Sequence, residues 1–161
     1  MRERAFAVLG NRVPGARFLD LFAGTGAVGL EALSRGAGNV VFVEKSRNAA
    51  KLVRTNIEAF DLETSRARLV IRGAGPAVAE LAKRGEAFDI VWADPPFEEW
   101  RGGLEAIEAA YSSGIIERDG IACLECPEKA DVDAVLPDNL EVARDLQGGA
   151  SRVVMISDIV G

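Results

Sequence analysis

Asp20-Leu-Phe-Ala-Gly-Thr-Gly-Ala-Val-Gly29 is the stretch on which the fold turns. Gly24, Gly26 and Gly29 stand in G-x-G-x-x-G order, between the apolar run Arg17-Phe-Leu-Asp-Leu-Phe22 and a helical stretch from Ala27 to Arg35. Strand, glycine turn and helix in that order open a nucleotide-binding α/β sheet, where glycines let the backbone turn sharply and come close to a ligand. Gly36 and Gly38 stop the helix. Asn39-Val-Val-Phe-Val-Glu44 is the second strand, and its unbroken apolar run suits burial on both faces. Glu44 closes it, twenty residues after Gly24. A carboxylate there can accept hydrogen bonds from both hydroxyls of an adenosine ribose.

The same alternation continues outward. Ser46 is placed to cap a third helix, on which Ala49, Leu52, Val53, Asn56, Ile57 and Phe60 form a helical stripe with one polar member. Asn56 reads as a satisfied structural group. A strand near Ala67 to Ile71, a helix from about Pro76 to Arg84 and the strand Phe88-Asp-Ile-Val-Trp-Ala93 follow, with Trp92 read as core. Next come a helix near Leu104 to Tyr111, a strand around Ile121 to Glu125, a short helix near Val132 and a turn at Pro137-Asp-Asn139. Leu140–Leu146 and Arg152–Ser157, joined by Gln147-Gly-Gly-Ala-Ser151, pair as an antiparallel hairpin. The pattern predicts one α/β domain over 1–161, a mostly parallel sheet with helices on both faces.

Composition narrows the chemistry. The 161 residues are 48% apolar and 27% charged, ordinary for a globular protein. No apolar run approaches the roughly 18 residues that span a bilayer, and the first ten residues are too short on apolar character for a secretory signal. A cytoplasmic protein acting as a monomer, without a membrane, is the expectation. There is no histidine, which excludes Ser-His-Asp and Cys-His hydrolases and His-ligated zinc. Cys123 and Cys126 form a lone C-x-x-C on a predicted strand, where residues three apart face opposite ways; no metal site is expected. The net charge of −6 divides into +6 over residues 1–84 and −12 over the rest. Such asymmetry hints at a polyanion-facing surface, to which Arg2, Arg4, Arg12 and Arg17 could contribute.

The glycine loop alone fits either a dinucleotide or S-adenosylmethionine. Asp20 favours the second, because a carboxylate four residues before Gly24 repels a pyrophosphate and attracts an ammonium and a sulfonium. Asp94-Pro-Pro-Phe97 closes the fourth strand at the same carboxyl edge. Proline has no N–H and stiffens the residue before it, so this segment offers acceptors on a rigid ledge. The Asp94 carboxylate and the Pro95 carbonyl suit the two hydrogens of an exocyclic base amine, orient its lone pair and stabilise developing positive charge. Phe97 would stack on a base drawn out of its helix. The candidate catalytic set is thus Asp94, Pro95, Pro96 and Phe97. The candidate cofactor set is Asp20, Phe22, Ala23, Gly24, Thr25, Gly26, Glu44 and Lys45, with Gly73 and Ala74 after the third strand. Trp100 and Arg101 are candidates for substrate contact.

Asp20-Leu-Phe-Ala-Gly-Thr-Gly26 and Asp94-Pro-Pro-Phe97 resemble the amino-methyltransferases of the Rossmann-like class. The longer string Phe22-Ala-Gly-Thr-Gly-Ala-Val-Gly-Leu-Glu-Ala-Leu-Ser-Arg-Gly-Ala37 is similar to the bacterial methyltransferases that modify guanine N2 of small-subunit (16S) ribosomal RNA. Arg2-Glu-Arg-Ala-Phe6 resembles that family's first helix. The chain starts inside that helix, without the family's usual N-terminal hairpin and Arg-Pro-Thr segment. It has Gly73-Ala-Gly75 where the family tends to place Asp or Asn near the adenine. The resemblance implies a seven-stranded sheet with an antiparallel last strand, Glu44 on the ribose, Asp94 to Phe97 on the amine, and ribosomal RNA or a small-subunit assembly particle as partner. Transfer to adenine N6 or cytosine N4 of DNA, an NAD-dependent dehydrogenase, and a truncated chain that binds cofactor or RNA without catalysis remain the alternatives.

Overall fold

Phe18 and Phe42 on one side of the central strands, and Leu19, Val41 and Val43 on the other, show how the apolar runs are used: alternate residues feed two separate cores. The computed structural model describes residues 1–60 and 66–159. Its elements are α1 (Arg2–Leu9), β1 (Arg17–Asp20), α2 (Ala27–Ser34), β2 (Asn39–Val43), α3 (Arg47–Ala59), β3 (Ala67–Val70), α4 (Ala74–Lys83), β4 (Phe88–Ala93), α5 (Trp100–Ser112), β5 (Ile116–Pro127), α6 (Val132–Val135), β6 (Leu140–Gly148) and β7 (Ser151–Asp158). The sheet order is β3-β2-β1-β4-β5-β7-β6. β1 through β5 pair in parallel, and β7 runs antiparallel to β5 and β6. The expected sheet, with its antiparallel last strand, is the one found.

Residues of α1, α2 and α3 pack on one face with Phe18, Phe42, Ile90 and Trp92; those of α4 and α5 pack on the other with Leu19, Leu21, Val41 and Val91. Cys123 falls in the first core and Cys126 in the second, so the two thiols diverge as their spacing implies. Burial pushes both upward, Cys123 to about 12 and Cys126 to about 11, and leaves them unreactive at neutral pH. Phe6 stacks on Trp92 at 5.5 Å between centroids, tying α1 to the back of β4.

Several boundaries depart from the sequence reading. α4 begins at Ala74 because Pro76 sits in its first turn, where a missing N–H costs nothing. α5 begins at Trp100, ahead of the expected start near Leu104, and runs through Gly102 and Gly103, residues of low helix propensity. β5 extends back to Ile116, with a register shift opposite Phe88 and Ile90 that throws Glu117–Asp119 outward. The α3 stripe is misaligned. Ala50 and Val53 are its buried residues, while Leu52 and Phe60 are 54% and 49% exposed. Ser46 does cap this helix, its side chain accepting from Ala49 N–H at 3.2 Å. No helix among the described residues is long and apolar enough to cross a membrane.

Candidate active site

The chain runs β1 to β3 towards one edge of the sheet, then returns to β4 beside β1 and proceeds the other way. Where strand order reverses, the loops after neighbouring strands part and leave a crevice at the carboxyl edge. The glycine loop follows β1 and the proline ledge follows β4, so both stand at this crevice.

The glycine loop is built by backbone hydrogen bonds. Leu21 N–H donates to the Trp92 carbonyl and Ala23 N–H to that of Val43, each at 2.9 Å, which stitches the loop to β4 and β2. Gly26 N–H closes the turn on the Ala23 carbonyl at 2.7 Å. Gly24 and Gly26 have φ of 57° and 87°, left-handed values that a side chain would strain. Glu44 braces the loop: Oε1 accepts from Gly24 N–H and Oε2 from Ser46 N–H, both at 2.8 Å. Asn56 donates to the Thr25 carbonyl at 2.8 Å, the satisfied structural role expected of it. Gly29 serves packing, since a Cβ there would lie 2.2 Å from the Phe42 ring.

A cavity of about 420 Å³ lies between loop and ledge. From the loop side it is lined by Phe22, Gly24, Glu44, Lys45 and Ala74, and from the ledge by Asp94 through Phe97. The other candidates stand around it. Asp20 and Ala23 are buried, Gly26 is the buried residue ahead of α2, Thr25 is exposed, and Gly73 caps α4 with its carbonyl taken by Ala77 N–H. Leu21, Val43 and Arg72 also line the cavity and escaped the sequence reading. Leu21 directly follows Asp20 at the end of β1 and Val43 directly precedes Glu44 at the end of β2, which was signal enough to include them.

Asp20 is 1% exposed. Its Oδ2 accepts from Gly29 N–H at 3.2 Å, while Oδ1 is buried without a hydrogen-bond partner. Burial raises its pKa to about 7; the charges of Asp94 and Glu44 add to the rise, and the backbone N–H groups of Gly29 and Phe22 oppose it. Asp94 is open to the cavity as a residue, yet crowding by protein atoms is the first cause of a pKa raised to about 7. The Glu125 carboxylate, by its charge and a hydrogen bond, is the next cause, and Arg2 pulls the other way. Asp94 and Glu44 thus act on Asp20, and Glu125 on Asp94, a cluster of acids whose field favours a cationic guest.

The ledge is rigid from behind. Pro95 is buried against α5, where a Cβ on Gly103 would come 2.6 Å from its ring. The Pro96 carbonyl accepts from Glu99 N–H at 2.8 Å, so Asp94 and the Pro95 carbonyl are the acceptors left for a guest. Phe97 is 46% exposed at the rim, as a stacking residue requires. Trp92 is fully buried, as expected. Arg101 lies over the Trp100 ring at 5.1 Å just beyond the ledge.

Of the four N-terminal arginines only Arg2 reaches the site's electrostatics. Arg4 donates to the Gln147 carbonyl, Arg12 to that of Asp119, and Arg17 lies over the Phe88 ring. Arg12 lines a second hollow of about 460 Å³ at the amino ends of the strands, with Asp89 and Glu117–Asp119. There Asp89 accepts from Arg17 N–H, and neither loop nor ledge reaches it.

The chain is similar to several known proteins. YlbH of Bacillus subtilis (strain 168) is 30% identical over 149 residues, covering 92% of this chain and 79% of its own length. Ribosomal RNA small subunit methyltransferase D of Escherichia coli (strain K12) is 39% identical over 105 residues, covering 65% of this chain. The match spans half the length of that relative. Among solved structures, a conserved hypothetical protein of Streptococcus pyogenes superposes with a TM-score of 0.84 at 29% identity, covering 98% of this chain and 95% of that one. The family described as Conserved hypothetical protein 95 matches residues 1–157, so the chain belongs to that family, and the resemblance carried by Phe22–Ala37 and Asp94–Phe97 is borne out.

Proposed function

We propose that this protein transfers a methyl group from S-adenosylmethionine to an exocyclic base amine of ribosomal RNA, with guanine N2 of the 16S RNA as the favoured target. One observation carries the reading: the acceptor-only ledge Asp94–Pro96 and the Glu44-braced glycine loop line one cavity at the strand-order reversal. The names of its relatives point the same way, since the Escherichia coli protein is a small-subunit ribosomal RNA methyltransferase and the Bacillus protein carries rRNA methyltransferase in its name.

The residues fit the cofactor. Bound S-adenosylmethionine supplies an electrophilic methyl group on a positively charged sulfur. Each Glu44 oxygen already accepts one backbone N–H and keeps a lone pair for a ribose hydroxyl. Asp20 offers an unpartnered buried oxygen behind the loop, suited to an ammonium group directly or through water. Asp94 and the Pro95 carbonyl hold the amine so that its lone pair faces the methyl group, and Asp94 stabilises the charge that builds on nitrogen. Phe97 covers the base face.

The test is labelled-methyl transfer from S-adenosylmethionine to 16S RNA, small subunits and duplex DNA in parallel. Label recovered as N2-methylguanine in RNA is expected, and Asp94→Ala abolishes it while S-adenosylhomocysteine affinity stays near that of the parent. Label in DNA alone replaces the RNA reading. Cofactor binding with no transfer to any acceptor overturns catalysis by this chain.

A further inference from the structure

β4 and β5 pair in parallel with Ala93 opposite Leu124, so the next residues along, Asp94 and Glu125, stand side by side. Asp94 lines the cavity, and Glu125 is half-buried on the strand behind it. Glu125 raises the Asp94 pKa both by its charge and by hydrogen bonding, and two neighbouring carboxyls bond to each other only when one of them carries a proton. Leu124 and Pro95 both press on the Gly103 backbone, so the segment carrying each acid is braced by the same turn of α5. The charges facing Asp94 are Glu125 from β5, Arg2 from α1 and Asp20 from β1.

We propose that Glu125 is the positioning partner of Asp94: it holds the Asp94 hydroxyl hydrogen, turns the other Asp94 oxygen towards the amine, and receives the proton that Asp94 passes on. This rests on the methyl-transfer reading above. Asp94 then presents a carbonyl-like acceptor to the amine while the negative charge of the pair stays one bond network away on Glu125. As the nitrogen–methyl bond forms, the methyl–sulfur bonding pair stays with sulfur and the nitrogen becomes positive. One N–H proton moves to the inward Asp94 oxygen, the outward Asp94 proton moves to Glu125, and Glu125 releases it to water. Asp94 ends with the proton count it began with.

Two measurements decide the matter. Carboxyl carbon NMR follows the Asp94 titration, without RNA, in the parent and in Glu125→Gln. The midpoint near 7 is expected to fall by about one unit or more in the variant, because a neighbouring charge and a shared proton are both lost. In single-turnover methyl transfer to 16S RNA, Glu125→Gln is expected to lower the rate about a hundredfold. The KM for RNA and the S-adenosylhomocysteine affinity should stay at parental values, and Glu125→Asp should recover part of the rate. An unmoved Asp94 midpoint overturns the pairing. A moved midpoint with an unmoved rate, or a rate loss matched by loss of cofactor affinity, overturns the positioning role. A parent without transfer activity overturns the methyl-transfer reading and the positioning role with it, while the titration still reports whether the acids are paired.

Discussion

Asp20 is an acid held where its ionised form is expensive. Its folded-state pKa of about 7 lies above the ordinary 3.8, so the folded protein binds this proton more tightly than the unfolded chain does. The sign follows from linkage: the contribution to stability is complete below about 4 and is lost as pH rises towards about 7. Asp94 is raised for the same leading reason and adds to the slope. The difference between parent and Asp20→Asn is therefore the quantity to read. Urea midpoints of the unliganded protein should fall between pH 5 and pH 8, and Asp20→Asn should fall less; equal declines would mean that Asp20 titrates normally. At this scale the sequence was readable wherever a side chain acts through its own position. Asp20, Glu44 and Asp94 could be found because each stands at the carboxyl end of a strand, Asp20 as its last residue and the other two directly after it. Glu125 could not, because its importance arises from a neighbour thirty-one residues away and only strand register brings the two together.

The elements that hold these residues are joined by a few close backbone approaches. Gly103 is the one behind the ledge, its missing side chain leaving room for both Pro95 and Leu124. Gly103→Ala should push the ledge off its seat and lower methyl transfer by about a hundredfold, the effect of an ångström-scale misplacement. S-adenosylhomocysteine affinity should be spared, since α5 does not line the loop side of the cavity. A calorimetric titration beside the transfer assay checks both halves. The helix expected near Leu104 to Tyr111 is present, but it starts four residues earlier, because tertiary packing around Gly103 overrides the low helix propensity of Gly102-Gly103. The α3 stripe departs for another reason. Its apolar residues fit a wide helical face, but the sheet covers only the narrow strip around Ala50 and Val53. β1, β2 and β4 were legible because strands buried on both faces leave continuous apolar runs, and the Pro-Pro pair marked where β4 stops.

Across the whole molecule the sheet is the common wall of two cores, one beneath α1–α3 and one beneath α4 and α5. A shared wall couples the two, and the proposal of one folding unit over 1–161 predicts a single thermal transition by calorimetry and by far-ultraviolet circular dichroism. S-adenosylhomocysteine at about a hundred times its Kd should add about 2.7 kcal/mol, raising Tm by about 5–10 °C for a domain of this size. Two transitions, only one of them shifted by the ligand, would divide the chain into separate units. The sheet order has one more consequence. β6 touches the sheet only through β7, which comes later in the chain and lies between β6 and β5. During synthesis, then, a nascent polypeptide that has reached Gly148 has nowhere to dock its newest strand and carries a bare β5 flank open to any other extended peptide. Residues 151–158 act as a zip fastener, and the ribosome must release them before the architecture can lock.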